Sequence, residues 1–334
     1  MGLRARAARA AAVALLPAFL PAFCAPACGE EAFVTNQPAN EVAVVDLGPS
    51  DTGAPQAKPR LVARIPIPGE PAGVAVTADG TRAYITSPED KALSVIDTVA
   101  RRVVSHIELK GGPLGVAVAP VGKPVYVADW YGARLFVVDP DHPEAIRTAP
   151  AGASPSGVAV TPDGAFVLTA DRDDDSVSVI DAASLTRVAV IAVGKRPFGI
   201  TLSGDGKRAY TANVGSDDVS VIDVPARRVV GTVKVGERPY VVALAGGLAF
   251  VTNQYAGTVS VFDVESLAIK GLVPVGEYPE GAEASGDGRF VYVANWFDNS
   301  LSVIDTGTLK VVASVPVGDG PRAFGAFIRR GRQP

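Results

Sequence analysis

Residues 197–238 read PFGITLSGDGKRAYTANVGSDDVSVIDVPARRVVGTVKVGER. The stretch holds four short apolar runs, Phe198–Leu202, Ala209–Ala212, Val219–Ile222 and Val229–Val235, each rich in β-branched residues and parted from the next by Gly, Asp, Asn or Ser. That pattern predicts four antiparallel strands joined by tight turns. Four strands this short cannot bury both faces alone, so the unit must stack on copies of itself. The copies follow a proline ruler at positions 71, 113, 155, 197, 239, 279 and 321, with intervals of 42, 42, 42, 42, 40 and 42 residues. A period of roughly 40–45 residues with four strands each is the pattern of propeller blades. Six units are complete. The seventh is split: only a first strand, Arg322–Ile328, follows Pro321, and Ala32–Thr35, Val42–Leu47 and Leu61–Ile67 supply the other three from the opposite end. Pairing of the two ends closes the ring and removes the exposed radial edge. The expected fold is an all-β, seven-bladed β-propeller.

Upstream of the repeats, Arg4, Arg6 and Arg9 precede an apolar run, Ala10–Phe23, and then Ala25-Pro26-Ala27. Basic residues, a short apolar stretch and small residues in that order predict a secretory signal over residues 1–27. The apolar run is too short for a membrane-spanning helix. Residues 28–334 then form a single domain. Removing the leader leaves 28 basic residues of the original 31 against 35 acidic ones, a net charge of −7. An acidic surface argues against nucleic acid or anionic lipid as partner. The two cysteines are Cys24 and Cys28. Cleavage after Ala27 would place Cys28 at the new N-terminus, as in a bacterial lipoprotein, although Ala25 stands where Leu is usual. Two outcomes follow: plain secretion, or a lipid anchor on Cys28 as the sole contact with a membrane. Either places the protein in the periplasm or outside the cell, with a core free of disulfides.

The repeats themselves separate scaffold from site. A residue type present in every blade serves the blade; one that breaks the sevenfold pattern is free to serve a ligand. Asp46, Asp97, Asp139, Asp181, Asp223, Asp263 and Asp305 all end a third strand. There a short carboxylate accepts N–H bonds from the following turn. Asp79-Gly80, Asp163-Gly164, Asp205-Gly206 and Asp287-Gly288 mark hairpins in which Gly supplies positive φ. Gly204-x-Gly206-x-x-Ala209 mimics a dinucleotide fingerprint, but no strand–turn–helix surrounds it.

AYTAN followed by VSVID, FVTNQ followed by VSVFD, and the link Val193-Gly194-Lys195-Arg196-Pro197-Phe198-Gly199 resemble the YVTN-repeat family of secreted β-propellers. The resemblance spans essentially residues 28–334. It implies the propeller fold and no single reaction, because relatives include non-catalytic subunits of quinoprotein amine dehydrogenases, lactonases and accessory proteins of periplasmic systems.

If the first strand of each blade is innermost and runs from top to bottom, the Asp-Gly hairpins lie below. The loops after each second strand, and the links into each proline, lie above. The top loops hold the residues that break symmetry. Both tryptophans, Trp130 and Trp296, fall there. So do Tyr131, Tyr255 and Phe297 in the loops, and Arg196, Phe198, Arg238, Tyr240, Glu280 and Arg322 around the prolines. Aromatic and Arg side chains together are the usual composition of recognition hot spots. These eleven residues are the expected binding set, held in loops outside the blade cores.

Catalytic and metal signatures are sparse. His106 falls in an outer strand and His142 in a bottom loop, so neither a His-based metal site nor a Ser–His–Asp triad is supported. The run Asp171-Arg172-Asp173-Asp174-Asp175 offers oxygen ligands of the kind calcium takes, but consecutive acids in an exposed loop are more often simply solvated. No metal or cofactor is expected. The leading expectation is a non-catalytic, monomeric propeller engaging a protein or small molecule through its top face. Two alternatives stay open: the cofactor-free subunit or accessory protein of a periplasmic quinoprotein dehydrogenase, and a lactonase-like hydrolase using Glu280 beside Arg322 or Arg238.

Overall fold

The computed structural model describes residues 29–48 and 58–331, together with Gly2. The expected leader, Gly2 apart, and Cys28 lie outside the described residues. Among the described residues twenty-nine strands, numbered here in chain order, fall into seven sheets. The blade quoted above consists of β16 (Pro197–Leu202), β17 (Arg208–Asn213), β18 (Asp218–Asp223) and β19 (Arg228–Lys234). The other blades begin at β4 (Gly73–Val76), β8 (Pro113–Val118), β12 (Pro155–Val160), β20 (Pro239–Ala245) and β24 (Pro279–Ala284). In each, the two middle strands are buried on both faces. The fourth alternates and buries one residue deeply: Ile65, Ile107, Ala149, Ile191, Val233, Val273 or Val315. An outer strand with one face in water needs no more.

The seventh blade is assembled from both chain ends, as expected. β1 (Glu30–Asn36), β2 (Glu41–Gly48) and β3 (Arg60–Pro66) are joined by β29 (Ile328–Arg329), which pairs antiparallel to β1 through Ala32 and Glu31. The closing segment is not one strand, however. It holds β1 through Arg322 N–H to Thr35 O at 2.8 Å and Phe33 N–H to Phe327 O at 2.8 Å. Between these bonds β28 (Phe324–Ala326) turns aside and pairs in parallel with β4 of the next blade. The bend falls at Gly325, φ 127°, where a Cβ would lie 2.3 Å from Val74 O. The C-terminal segment thus clamps two blades, and the core around it draws Phe33 and Val34, Val74 and Ile85, and Phe290 and Tyr292 from three blades, the two clamped and the one before them.

The repeating residues have the roles that repetition implies. All seven aspartates accept an N–H from the turn that follows, at 2.7–3.1 Å in Asp97, Asp139 and Asp305, for example. The asparagine that ends AYTAN is a second pin. Asn213, Asn253 and Asn295 are buried and donate to Ser220, Ser260 and Ser302 of the neighbouring strand at 3.0, 2.9 and 2.8 Å. Asn253 and Asn295 also accept the N–H of Gly236 and Gly276 in the link above. One motif residue therefore ties second strand, third strand and link together, satisfying polar groups that burial would otherwise penalise.

Blade meets blade two residues after each proline, at a glycine in five blades and at Val241 and Ala323 in the other two. A Cβ on Gly73, Gly115, Gly157, Gly199 or Gly281 would lie 1.9–2.6 Å from a carbonyl oxygen of the next blade's first strand. Only a hydrogen fits there, and the first strands consequently crowd toward the axis.

Candidate functional site

That crowding decides what happens at the top of the channel. The residue after each proline points to the axis: Ala72, Leu114, Ser156, Phe198, Tyr240, Glu280 and Arg322. Blades one and three contribute small side chains, and the room is filled by Phe198, Tyr240 and Phe324. Phe198 stacks on Tyr240 with ring centroids 4.2 Å apart, and Phe324 sits 5.0 and 5.7 Å from the two. Phe198 is 6% and Tyr240 3% exposed. This corrects the expectation that they stand in loops outside the core: they are an aromatic plug across the channel. Below it lies a cavity of about 610 Å³ lined by the first strands, with Glu283 and Arg330 among the lining residues.

Beside the plug a buried polar chain crosses from blade seven to blade five. Arg322 donates to Gln37 Oε1 at 2.8 Å and to Tyr240 Oη at 2.5 Å, and its Nε lies 3.2 Å from Glu280 Oε2. Gln254 donates to Glu280 Oε1 at 2.8 Å and accepts from Arg238 Nε at 2.6 Å. Burial pushes the Glu280 carboxyl up to about 7, against the pull of Arg322 and Arg238. Burial likewise raises the Tyr240 phenol, which stays neutral. Burial works against the Arg322 charge, and the Tyr240 oxygen and Glu280 outweigh it. Arg322 is flanked by the rings of Trp296 and Tyr240, each 5.9 Å from its guanidinium carbon.

The rest of the expected set lies further out. Trp130 is half-buried, 6.1 Å from Phe198, with the Arg172 guanidinium over its ring. Tyr131, Tyr255 and Phe297 are 83%, 55% and 63% exposed. Tyr131 stands apart on blade two, against Gly112. Tyr255 and Phe297 flank Tyr278, at centroid distances of 5.8 and 5.0 Å, and form a ridge over blades five and six. Arg238 lies 4.9 Å from the Tyr255 ring and so links ridge to plug. Arg196 is exposed.

Sequence reasoning passed over Gln37, Gln254 and Phe324, although the two glutamines break the repeat at the very position of Trp130 and Trp296. It also missed Glu283, the lone acid where the other blades carry Ala, Thr or Gly. Its Oε2 accepts the N–H of Phe327 and Ile328 at 2.5 and 2.8 Å, fastening the closing segment from inside the channel. Burial pushes it, too, up to about 7. The acidic run of blade three is engaged locally: Asp173 with Ser154 and Arg172, Asp174 with the Ala153 N–H, Asp175 with Lys195. Among the described residues no three His, Cys, Asp or Glu side chains converge on a metal position.

Residues 127–254 match the family described as YNCE-like beta-propeller. Among solved structures, the chain is similar to hydrazine synthase from Kuenenia stuttgartiensis, at 20% identity and a TM-score of 0.70, over 82% of this chain and 91% of that one. It is also similar to a functionally unknown protein from Desulfotomaculum acetoxidans DSM 771, at 17% identity and a TM-score of 0.72, over 87% and 98% of the two chains. At these identities the likeness shows the fold. No curated protein matches the chain in sequence.

Proposed function

Starting from a seven-bladed propeller of the YVTN/YNCE type, we propose that the protein is an extracytoplasmic, non-catalytic binding or scaffold module that engages its partner through the top face. The observation that carries this reading is the ridge of Tyr255, Tyr278 and Phe297. Exposed aromatic rings in contact with one another are seldom left on a surface without a partner, and here they stand where the sevenfold pattern breaks. They are presented by links of a rigid ring, the usual setting of a recognition surface. Glu280, the group a hydrolase would use, is held by Arg322 and Gln254 beside the plug, an arrangement suited to fixing the mouth. The leader expected over residues 1–27 supports export.

The likeness to a chain of hydrazine synthase favours a second reading, in which the propeller is a non-catalytic subunit of an extracytoplasmic enzyme. Both readings meet the same test. Affinity capture from the native extracytoplasmic fraction, with the partner identified by mass spectrometry, should yield one protein whose retention is lost on Phe297→Ala. Retention unchanged by top-face substitutions and lost on bottom-face ones would overturn the proposal.

A further inference from the structure

The ridge carries a chemistry that narrows the partner. Its backbone is fixed: Trp296 N–H donates to Tyr278 O, Phe297 N–H to Glu277 O, and Glu277 N–H to Asp298 Oδ2 at 2.8 Å. Each ring is thus held in place by its neighbour and by the link beneath. The exposed charged residues that flank these rings in the chain are acidic. Glu237 precedes Arg238, Glu277 precedes Tyr278 and Asp298 follows Phe297, and all three acids are exposed. Neither Glu237 nor Glu277 has an ion-pair partner among the described residues. Of the two bases near these rings, Arg322 is buried against Glu280, and Arg238 is folded back onto Tyr255 and bonded to Gln254. The surface therefore already displays the contact it would make with another cation.

Aromatic faces attract ammonium and guanidinium groups through their quadrupole, and unpaired carboxylates around them add attraction of the same sign while repelling an acidic partner.

Resting on the proposal that the top face binds a partner, we infer that the partner is a protein presenting a basic segment. Its Lys or Arg side chains lie across Tyr278 and Phe297, with their charges toward Glu237, Glu277 and Asp298. The test is fluorescence anisotropy of the purified protein with three labelled peptides of equal length: one rich in Lys and Arg, one with Gln in their place, one with Glu. The basic peptide is expected to bind about tenfold or more tightly than the neutral one, and the acidic peptide not at all. Phe297→Ala should cost about tenfold or more. Glu237→Gln with Glu277→Gln should weaken binding several-fold and flatten its salt dependence, and Asp205→Asn on the bottom face should change nothing. Basic-peptide binding indifferent to both sets of top-face substitutions overturns the inference. So does tighter, Phe297-dependent binding of the acidic peptide, which would leave the top-face proposal standing; that proposal falls separately if the captured partner ignores the same substitutions.

Discussion

Plug and ridge lie on the same face and share blade five, are built from the same residue types, and differ in radius. Phe198, Tyr240 and Phe324 stand where seven first strands converge, and they are buried among themselves. Tyr255 and Phe297 stand in loops further out and remain open to solvent, with the half-buried Tyr278 between them. The asymmetry that marks both groups in the repeats thus has two causes. At the axis a sevenfold ring leaves a central hole, and unequal side chains fill it better than seven equal ones would. On the rim nothing in the packing demands aromatic rings, so asymmetry there points to a partner.

The comparison breaks most visibly in stability. Phe198→Ala should cost about 3–5 kcal/mol, the usual loss for a buried phenylalanine. Phe297→Ala should stay within about 0.5 kcal/mol, as for an exposed residue. Urea denaturation of the two variants measures both, and equal losses would mean that the rim rings are part of the core.

A second contrast runs along β24, which carries Glu280 at its top and Glu283 three residues below. Both carboxyls are raised from the ordinary 4.5 to about 7 by burial. A raised carboxyl contributes stability that is fully present below about pH 4.5 and is lost as pH rises through about 7. Glu283→Gln keeps an oxygen for the Phe327 and Ile328 N–H groups and strands only the exposed Arg330, 3.8 Å away. Its advantage over the parent should therefore grow between pH 4.5 and 7 and then level off, at up to about 3 kcal/mol. Glu280→Gln shares the trend but leaves Arg322 buried without its counter-charge, which offsets the gain. Melting temperatures across that range separate the cases: if Glu283→Gln gains nothing at pH 8, the carboxylate is already well solvated.

Binding should invert the order seen in stability. Phe297→Ala should weaken partner binding by about 2 kcal/mol, as hot-spot aromatics do. Tyr240→Phe keeps the plug and removes only the hydroxyl that Arg322 reaches, so it should shift binding by less than about 0.5 kcal/mol. Isothermal titration with the captured partner compares them. A larger effect from Tyr240→Phe would move the site from the rim to the mouth.

Period, strand order, ring closure and the aspartate pins were legible because they repeat, and repetition in one sequence replaces an alignment. Burial at the axis was not. The residue after each proline was placed at the channel mouth, outside the blade cores, yet Gly199 and its counterparts draw the strands so close that Phe198 and Tyr240 have nowhere to go but onto each other. Those glycines were in plain view; their contacts cross between blades and leave no local pattern. Glu283 was hidden for another reason. A single acid inside an apolar strand looks like noise until the closing segment supplies two N–H groups for it. The bend at Gly325 follows the same logic, since pairing with β4 depends on where the chain ends meet.

The smallest effect tests whether side chains on the rim are kept against the backbone's preference. Glu70, Ser154, Arg196, Arg238, Tyr278 and Gly320 precede their prolines with φ between 50° and 62°. Because the conformation recurs from blade to blade, it belongs to the link and not to any one residue. Only glycine adopts it without strain. Arg196 is exposed, and its N–H to Asp175 Oδ1, 2.8 Å, survives any substitution but proline. Arg196→Gly should therefore raise stability, by about 1 kcal/mol once the extra freedom of glycine in the unfolded chain is subtracted. Gly320→Ala is the mirror case: its new Cβ would lie 2.4 Å from Pro38 Cδ, so strain and collision add and stability falls. Thermal melts of the pair give the sign directly. If Arg196→Gly lowers stability, the arginine is held by packing, and its place on the rim needs no partner to explain it.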